Sequence, residues 1–152
     1  MQKNVFLGLG SNLGGREAYL EKAIEQLNAD VEINVLARSQ ILQTEPVGDL
    51  SLPLFLNMAI EVETSLTPRA LLAVCLDIEL ANGRKRDEKW ASRTLDIDIL
   101  FFGELIIDEE GLTVPHPEVA NRRFALEPLA EIAAMYVNPV NKEPVWAMLQ
   151  RL

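Results

Sequence analysis

Phe55-Leu56-Asn57-Met58-Ala59-Ile60-Glu61-Val62-Glu63-Thr64 alternates along its whole length, and a period of two marks a strand with one face in a core. Leu56, Met58, Ile60 and Val62 form the apolar row, which sends Phe55, Asn57 and Ala59 to the opposite side. Directly after it, Leu66-Thr67-Pro68 opens a helix, with Thr67 as the cap and Pro68 in the first turn. The helix runs to about Asn82, and Gly83 stops it. Beyond a basic connection, Leu95 to Phe102 reads as another strand. In the other direction, Thr44 to Pro53 is an irregular loop with two prolines and a glycine, and Val31 to Gln43 is one long strand. Arg16 to Asn28 is an amphipathic helix, with Leu20, Ala23, Ile24 and Leu27 at helical spacing, and Val5 to Leu9 is the first strand. Glu127 to Ala134 and Pro144 to Arg151 are helices in a remainder of short pieces. The order β-α-β-β-α-β predicts a ferredoxin-like α+β sandwich, with an antiparallel sheet, helices on one face and ligands on the other.

Strand alternation then says what that second face carries. Leu95, Ile97, Ile99 and Phe101 point to the helices, so Asp96 and Asp98 point away. Val5, Leu7 and Leu9 go inward, so Phe6, Gly8 and Gly10 go outward. One face thus gathers two glycines, an asparagine, aromatic side chains and two carboxylates, which is the composition of a site.

The chain has 152 residues, 49% hydrophobic and 24% charged, so a single domain with a core of its own is expected over 1–152. Its apolar runs fall far short of the ~20 residues that span a bilayer, and Met1-Gln2-Lys3-Asn4 does not open a signal peptide. A cytoplasmic, monomeric protein is the expectation. Cys75 is the only cysteine, which excludes an internal disulfide and a cysteine-built zinc site. With 14 basic and 23 acidic residues, net −9, the chain is a poor general binder of nucleic acid. Yet Gly83 to Thr94 holds Arg84, Lys85, Arg86, Lys89 and Arg93 against Asp87 and Glu88 alone. Such a run is either a solvated loop or an anion site.

Asp96 and Asp98 project the same way from one strand, roughly 7 Å apart along the chain. Two like charges this close are reconciled by a divalent cation, and hard oxygen ligands with open positions suit magnesium shared with phosphates. The alternative is a solvated strand face. The basic segment just before them favours a polyphosphate lying between cations and metal. Glu79 falls inside the apolar arc of its helix; it either snorkels out at the helix end or holds a basic residue or ligand. Gly8-x-Gly10-x-x-x-Gly14 imitates a dinucleotide fingerprint, but the elements after it form a meander rather than repeated βαβ units. There is no Gly-x-x-x-x-Gly-Lys-Ser/Thr string, and His116, between two prolines, is the lone histidine, so a multi-histidine metal site is excluded.

Further motifs make the pattern specific. Gly10-Ser11-Asn12-Leu13-Gly14, Thr44-Glu45-Pro46-Val47-Gly48 and Phe55-Leu56-Asn57 precede Trp90-Ala91-Ser92-Arg93-Thr94-Leu95-Asp96-Ile97-Asp98-Ile99-Leu100. Leu112-Thr113-Val114-Pro115-His116-Pro117, Asn121-Arg122-Arg123-Phe124-Ala125-Leu126 and Pro128-Leu129-Ala130-Glu131-Ile132-Ala133 follow. In this order the chain resembles the 6-hydroxymethyl-7,8-dihydropterin pyrophosphokinases of the folate pathway nearly end to end. The resemblance implies transfer of pyrophosphate from ATP to the hydroxymethyl of a reduced pterin, with release of AMP. It implies two Mg2+ ions on Asp96 and Asp98, and catalytic neutralisation of phosphate charge by Arg84 and Arg93. Glu79, Arg86, Trp90, Ile99, Thr113, His116 and Arg122 are the implied nucleotide contacts. Asn57 is implied at the pterin edge, Phe55, Phe124 and Trp90 as its aromatic packing, and Thr44, Glu45 and Val47 as mostly backbone contacts.

The chain departs from the family pattern in three places: Ala91-Ser92 stands for the usual Gly-Pro, the stretch from Arg84 to Trp90 is one residue shorter than in several relatives, and Pro117 replaces a tyrosine found in some. Gly83 to Thr94 is expected to close as a lid over both substrates, since its cations repel one another without an anion and Trp90 lacks a permanent partner. Two other functions compete. A nucleotidyltransferase shares a Gly-Ser and an Asp-x-Asp, but there the two elements lie about a dozen residues apart, whereas Ser11 and Asp96 are separated by most of the domain. A non-catalytic ferredoxin-like binding module would need no magnesium carboxylates.

Overall fold

Thr67 starts the second helix as its sequence demands: its Oγ1 accepts the Ala70 N–H at 3.2 Å and Pro68 occupies the first turn. That helix is one of the elements in a computed structural model that describes residues 1–12, 15–44, 54–83 and 95–152. Glu45 and Val47, and Arg84, Arg86, Trp90 and Arg93 with the expected lid, lie outside the described residues.

Strands β1 (Gln2–Ser11), β2 (Ile33–Arg38), β3 (Leu42–Thr44), β4 (Phe55–Thr64) and β5 (Asp96–Phe102) make one antiparallel sheet. Its order is β2-β4-β1-β5, with β3 also on β4. Helices α1 (Arg16–Ala29) and α2 (Pro68–Ala81) follow β1 and β4, which is the expected ferredoxin-like α+β arrangement. Leu20, Ala23 and Leu27 of α1 and Leu71, Cys75 and Ile78 of α2 bury against Val5, Leu7, Leu9, Met58, Ile60 and Val62 of the sheet.

The strand expected from Val31 to Gln43 is broken. β2 and β3 both lie along β4, but between them Ser39 replaces a strand rung with its side chain. Its Oγ accepts the Ala59 N–H at 2.9 Å and donates to the Gln40 carbonyl at 2.8 Å, while its own N–H reaches Ala59 O. Thr44, expected in a loop, is the last residue of β3.

A second correction concerns Phe101, expected on the helix side. The β1–β5 register passes from Phe6↔Phe101 to Leu7↔Ile99, so Leu100 is an extra residue and the alternation beyond it is inverted. Phe101 and Leu100 therefore join Phe6 and Ala59 on the second face, and Phe102 joins the helix-side core. That second face is not wholly open. Helices α3 (Arg123–Ala133) and α4 (Val145–Gln150) bury Ala125, Leu126, Leu129, Val145 and Met148 over its Phe6 end. α3 begins a turn earlier than the pattern around Pro128 suggests, because burial of Ala125 and Leu126 outweighs the bond that proline forfeits inside a helix. The hairpin β6 (Ile107–Glu109) and β7 (Leu112–Val114) and a 3-10 turn, Val119–Asn121, complete the described elements.

Candidate active site

The end of the second face that α3 and α4 leave uncovered is floored by glycine. Gly10 lies between Asn57 on β4 and Asp96 on β5, and Gly8 between Ala59 and Asp98, in two adjacent cross-strand rows. A Cβ on Gly10 would sit 3.0 Å from Asn57 Oδ1, and one on Gly8 would meet Leu100 at 3.4 Å. The two glycines thus put no side chain between an amide on one side and two carboxylates on the other. Asn57 is nearly buried, and its Nδ2 donates to Thr44 Oγ1 at 2.5 Å. Thr44, for which the resemblance implies mostly backbone contacts, thus also holds the side chain of Asn57. Only the β3–β4 register, with Thr44 opposite Phe55 and Leu42 opposite Asn57, reveals that contact. On the approach to Phe55, Leu54 O accepts from Arg16 Nη1 at 2.7 Å, which ties the strand's start to α1.

On the carboxylate wall, Asp98 is exposed and Asp96 half-buried, with Ile97 between them in the core. Glu79 does not snorkel. It is 4% exposed, and its Oε2 accepts the N–H of Ile97 at 2.7 Å. The side chain of Ile99 is packed in the helix-side core, which leaves only its backbone for the nucleotide contact that the resemblance implies. His116 runs beside β5, its N–H on Leu100 O at 3.0 Å, and its Nδ1 accepts the Glu118 N–H at 3.1 Å. Burial holds the imidazole pKa below its ordinary value, the Arg122 charge adds to that, and Asp98 and Glu118 oppose it. Asp98, His116 and Arg122 are therefore close enough to feel one another. The Arg122 guanidinium lies 5.5 Å from the centre of the Phe124 ring, so this cation and this aromatic stand together. Thr113 is exposed on the β6–β7 hairpin, paired with Asp108.

Among the described residues no third His, Cys, Asp or Glu completes a metal-binding group with Asp96 and Asp98. Two hard carboxylates with open positions suit magnesium, which takes its other ligands from phosphate and water, and do not suit a closed structural zinc. Ser11, of the Gly-Ser pair that a nucleotidyltransferase would use, pairs with Leu56 and is wholly buried.

The profile of 7,8-dihydro-6-hydroxymethylpterin-pyrophosphokinase (HPPK) matches residues 6–134. The chain belongs to the HPPK family. It is 48% identical over 128 residues to the 2-amino-4-hydroxy-6-hydroxymethyldihydropteridine pyrophosphokinase of Methylorubrum extorquens, covering 84% of this chain and 81% of that one. With the enzyme of the same name from Bacillus subtilis the identity is 45%, over 87% of this chain and 79% of the other. A crystal structure of HPPK-DHPS in complex with substrates shares the fold, with a TM-score of 0.79 at 14% identity, covering 99% of this chain and 43% of that longer one.

Proposed function

We infer that this chain transfers pyrophosphate from ATP to 6-hydroxymethyl-7,8-dihydropterin, giving AMP and the pterin pyrophosphate in folate biosynthesis. The observation that carries the reading is the pair of cross-strand rows in which Gly10 and Gly8 separate the β4 side, with Asn57, from Asp96 and Asp98 on β5, in a chain of the HPPK family. The pterin edge lies against the Asn57 amide, held by Thr44, with Phe55 and Phe124 packing its ring. The hydroxymethyl oxygen attacks the β-phosphorus of ATP, the bond from that phosphorus to the α-phosphate bridging oxygen breaks, and AMP leaves with the electron pair while the hydroxyl proton passes to solvent. Such transfer depends on positioning and charge neutralisation more than on covalent help. Asp96 and Asp98 hold Mg2+, two ions with ATP, and the metal supplies charge neutralisation and a more acidic hydroxyl. His116 and Arg122 contact the nucleotide, as do Thr113 and the backbone of Ile99; Arg84, Arg86 and Arg93 complete the phosphate side, Glu45 and Val47 the pterin side, and Trp90 contacts the nucleotide and packs on the pterin.

The chain works as a cytoplasmic monomer whose partners are ATP and the reduced pterin, without nucleic acid or membrane; its net charge of −9 supports this. No helix among the described residues is long and apolar enough to cross a membrane. The test is the nucleotide product formed from ATP, magnesium and the reduced hydroxymethylpterin. AMP in step with pterin consumption is expected. ADP would mean simple kinase chemistry, and free pyrophosphate with a nucleotidyl adduct would mean a transferase. Asp96→Ala and Asp98→Ala, on the ligand face, should keep the melting temperature and lower turnover by about three orders of magnitude; near-native activity in either would remove the metal assignment.

A further inference from the structure

Among the described residues β5 is an edge strand of the sheet, paired with β1 alone. An edge strand carries backbone groups that no neighbouring strand satisfies, and a buried N–H without an acceptor costs about 1–3 kcal/mol. The edge matters here because the strand presents Asp96 and Asp98, and because the β1–β5 register is irregular two residues further on, at Leu100. A slip of one residue would turn both carboxylates to the core face and the intervening isoleucine outward. The structure shows what opposes that slip. Glu79, in the last turn of α2 and 4% exposed, puts Oε2 on the N–H of Ile97 at 2.7 Å, between the two aspartates.

We propose that Glu79 is a positioning residue: its bond to Ile97 N–H locks the register of β5, so that Asp96 and Asp98 stand together on the ligand face. This rests on the pyrophosphokinase reading, in which those carboxylates hold magnesium. In this role Glu79 acts through the backbone of β5, and not as the nucleotide contact that the family resemblance implies. The reach of the side chain to the Ile97 N–H is what this role requires. Glutamine keeps the reach and the acceptor oxygen while losing the charge; aspartate keeps the charge and is one methylene too short.

The experiment compares Glu79→Gln and Glu79→Asp with the wild type in three readouts: amide hydrogen exchange at Ile97, Mn2+ affinity measured with a non-hydrolysable ATP analogue, and the kinetics of AMP formation. Glu79→Gln should recover Ile97 protection, Mn2+ affinity and kcat to within about threefold of wild type, while Glu79→Asp should lose the protection and weaken Mn2+ binding and kcat by about 10–100-fold, the range for a partner that orients a metal ligand. KM for ATP should move by less than about twofold in both, because no nucleotide contact is removed. A Glu79→Asp protein that keeps Ile97 protected and Mn2+ bound would overturn the proposal. So would a Glu79→Gln protein as impaired as Glu79→Asp, which would place the function in the charge, or a rise in KM for ATP alone, which would make Glu79 a nucleotide contact. Failure of the wild type itself to form AMP would overturn the underlying reading; a wild type that forms AMP beside a fully competent Glu79→Asp would overturn the positioning role alone.

Discussion

Gly10 is glycine for reasons of space. A methyl group there would stand 3.0 Å from Asn57 Oδ1, so the amide would have to give by a few tenths of an ångström. Gly10→Ala should raise KM for the pterin about tenfold with kcat changed less than about twofold, since the lost alignment concerns binding at the amide and not the phosphate chemistry. Pterin titrations at saturating magnesium and ATP check this; an unchanged KM would mean Asn57 does not face the substrate. His116 shows a second residue-scale effect. Its pKa is held below the ordinary 6.5, first by burial. Below 6.5 the unfolded chain takes up a proton that the folded chain refuses. The stabilising contribution is therefore whole above that pH and is lost as pH falls through the lower folded value. Urea unfolding at about pH 8 and about pH 5.5 should show a smaller loss of stability in His116→Asn, which keeps an acceptor for the Glu118 N–H, than in the wild type. Equal losses would remove His116 from the pH dependence.

At the scale of elements, the break between β2 and β3 is held by side chains. Ser39 Oγ is the acceptor for the buried Ala59 N–H, and Glu131 of α3 accepts the Gln40 N–H at 2.9 Å. Ser39→Ala should cost about 1–3 kcal/mol, the penalty of leaving a buried donor unmet. A denaturation midpoint equal to wild type would show that water satisfies Ala59 instead. The bond between Arg38 of β2 and Glu21 of α1 is bidentate, at 2.9 and 2.6 Å, but both side chains are about half exposed, so it contributes a few tenths of a kcal/mol to about 1. The alternation of β4 and the cap of α2 were legible in the residues themselves. The break at Ser39 and the bulge at Leu100 were not, because each is stabilised by elements distant in sequence: β4 and α3 for the first, β1 for the second.

Over the whole molecule the sheet has two cores. One lies under α1 and α2; the other lies under α3 and α4 and contains Phe6, Phe101 and Leu126, with the Tyr136 ring edge-on to Phe6 at 5.0 Å and tilted against Phe101 at 4.9 Å. The second core covers the Phe6 end of the face that carries the site. Leu126→Ala should lower the unfolding free energy by about 2–5 kcal/mol through the cavity it leaves. A single cooperative transition is expected, with KM values for ATP and pterin unchanged, since its neighbours are core residues. Two separate transitions in calorimetry would mean that α3 and α4 melt apart from the sheet.

Local pattern alone determined the helices and strands of the β-α-β-β-α-β order, the side of the sheet that receives Asn57, Asp96 and Asp98, and the family to which the chain belongs. Strand period and capping chemistry are local, and motifs are linear, so each can be read without knowing what packs against it. Tertiary structure decided the rest. The reach of Glu79 to Ile97, the orientation of Asn57 by Thr44, the inversion that buries Phe101 on the ligand side and the covering of the Phe6 end of that side by α3 all depend on register and on contacts between elements far apart in the chain. A hydrogen bond between a helix side chain and an edge strand leaves no periodic trace in either segment, which is why Glu79 looks in sequence like an anomaly and in the fold like a strut.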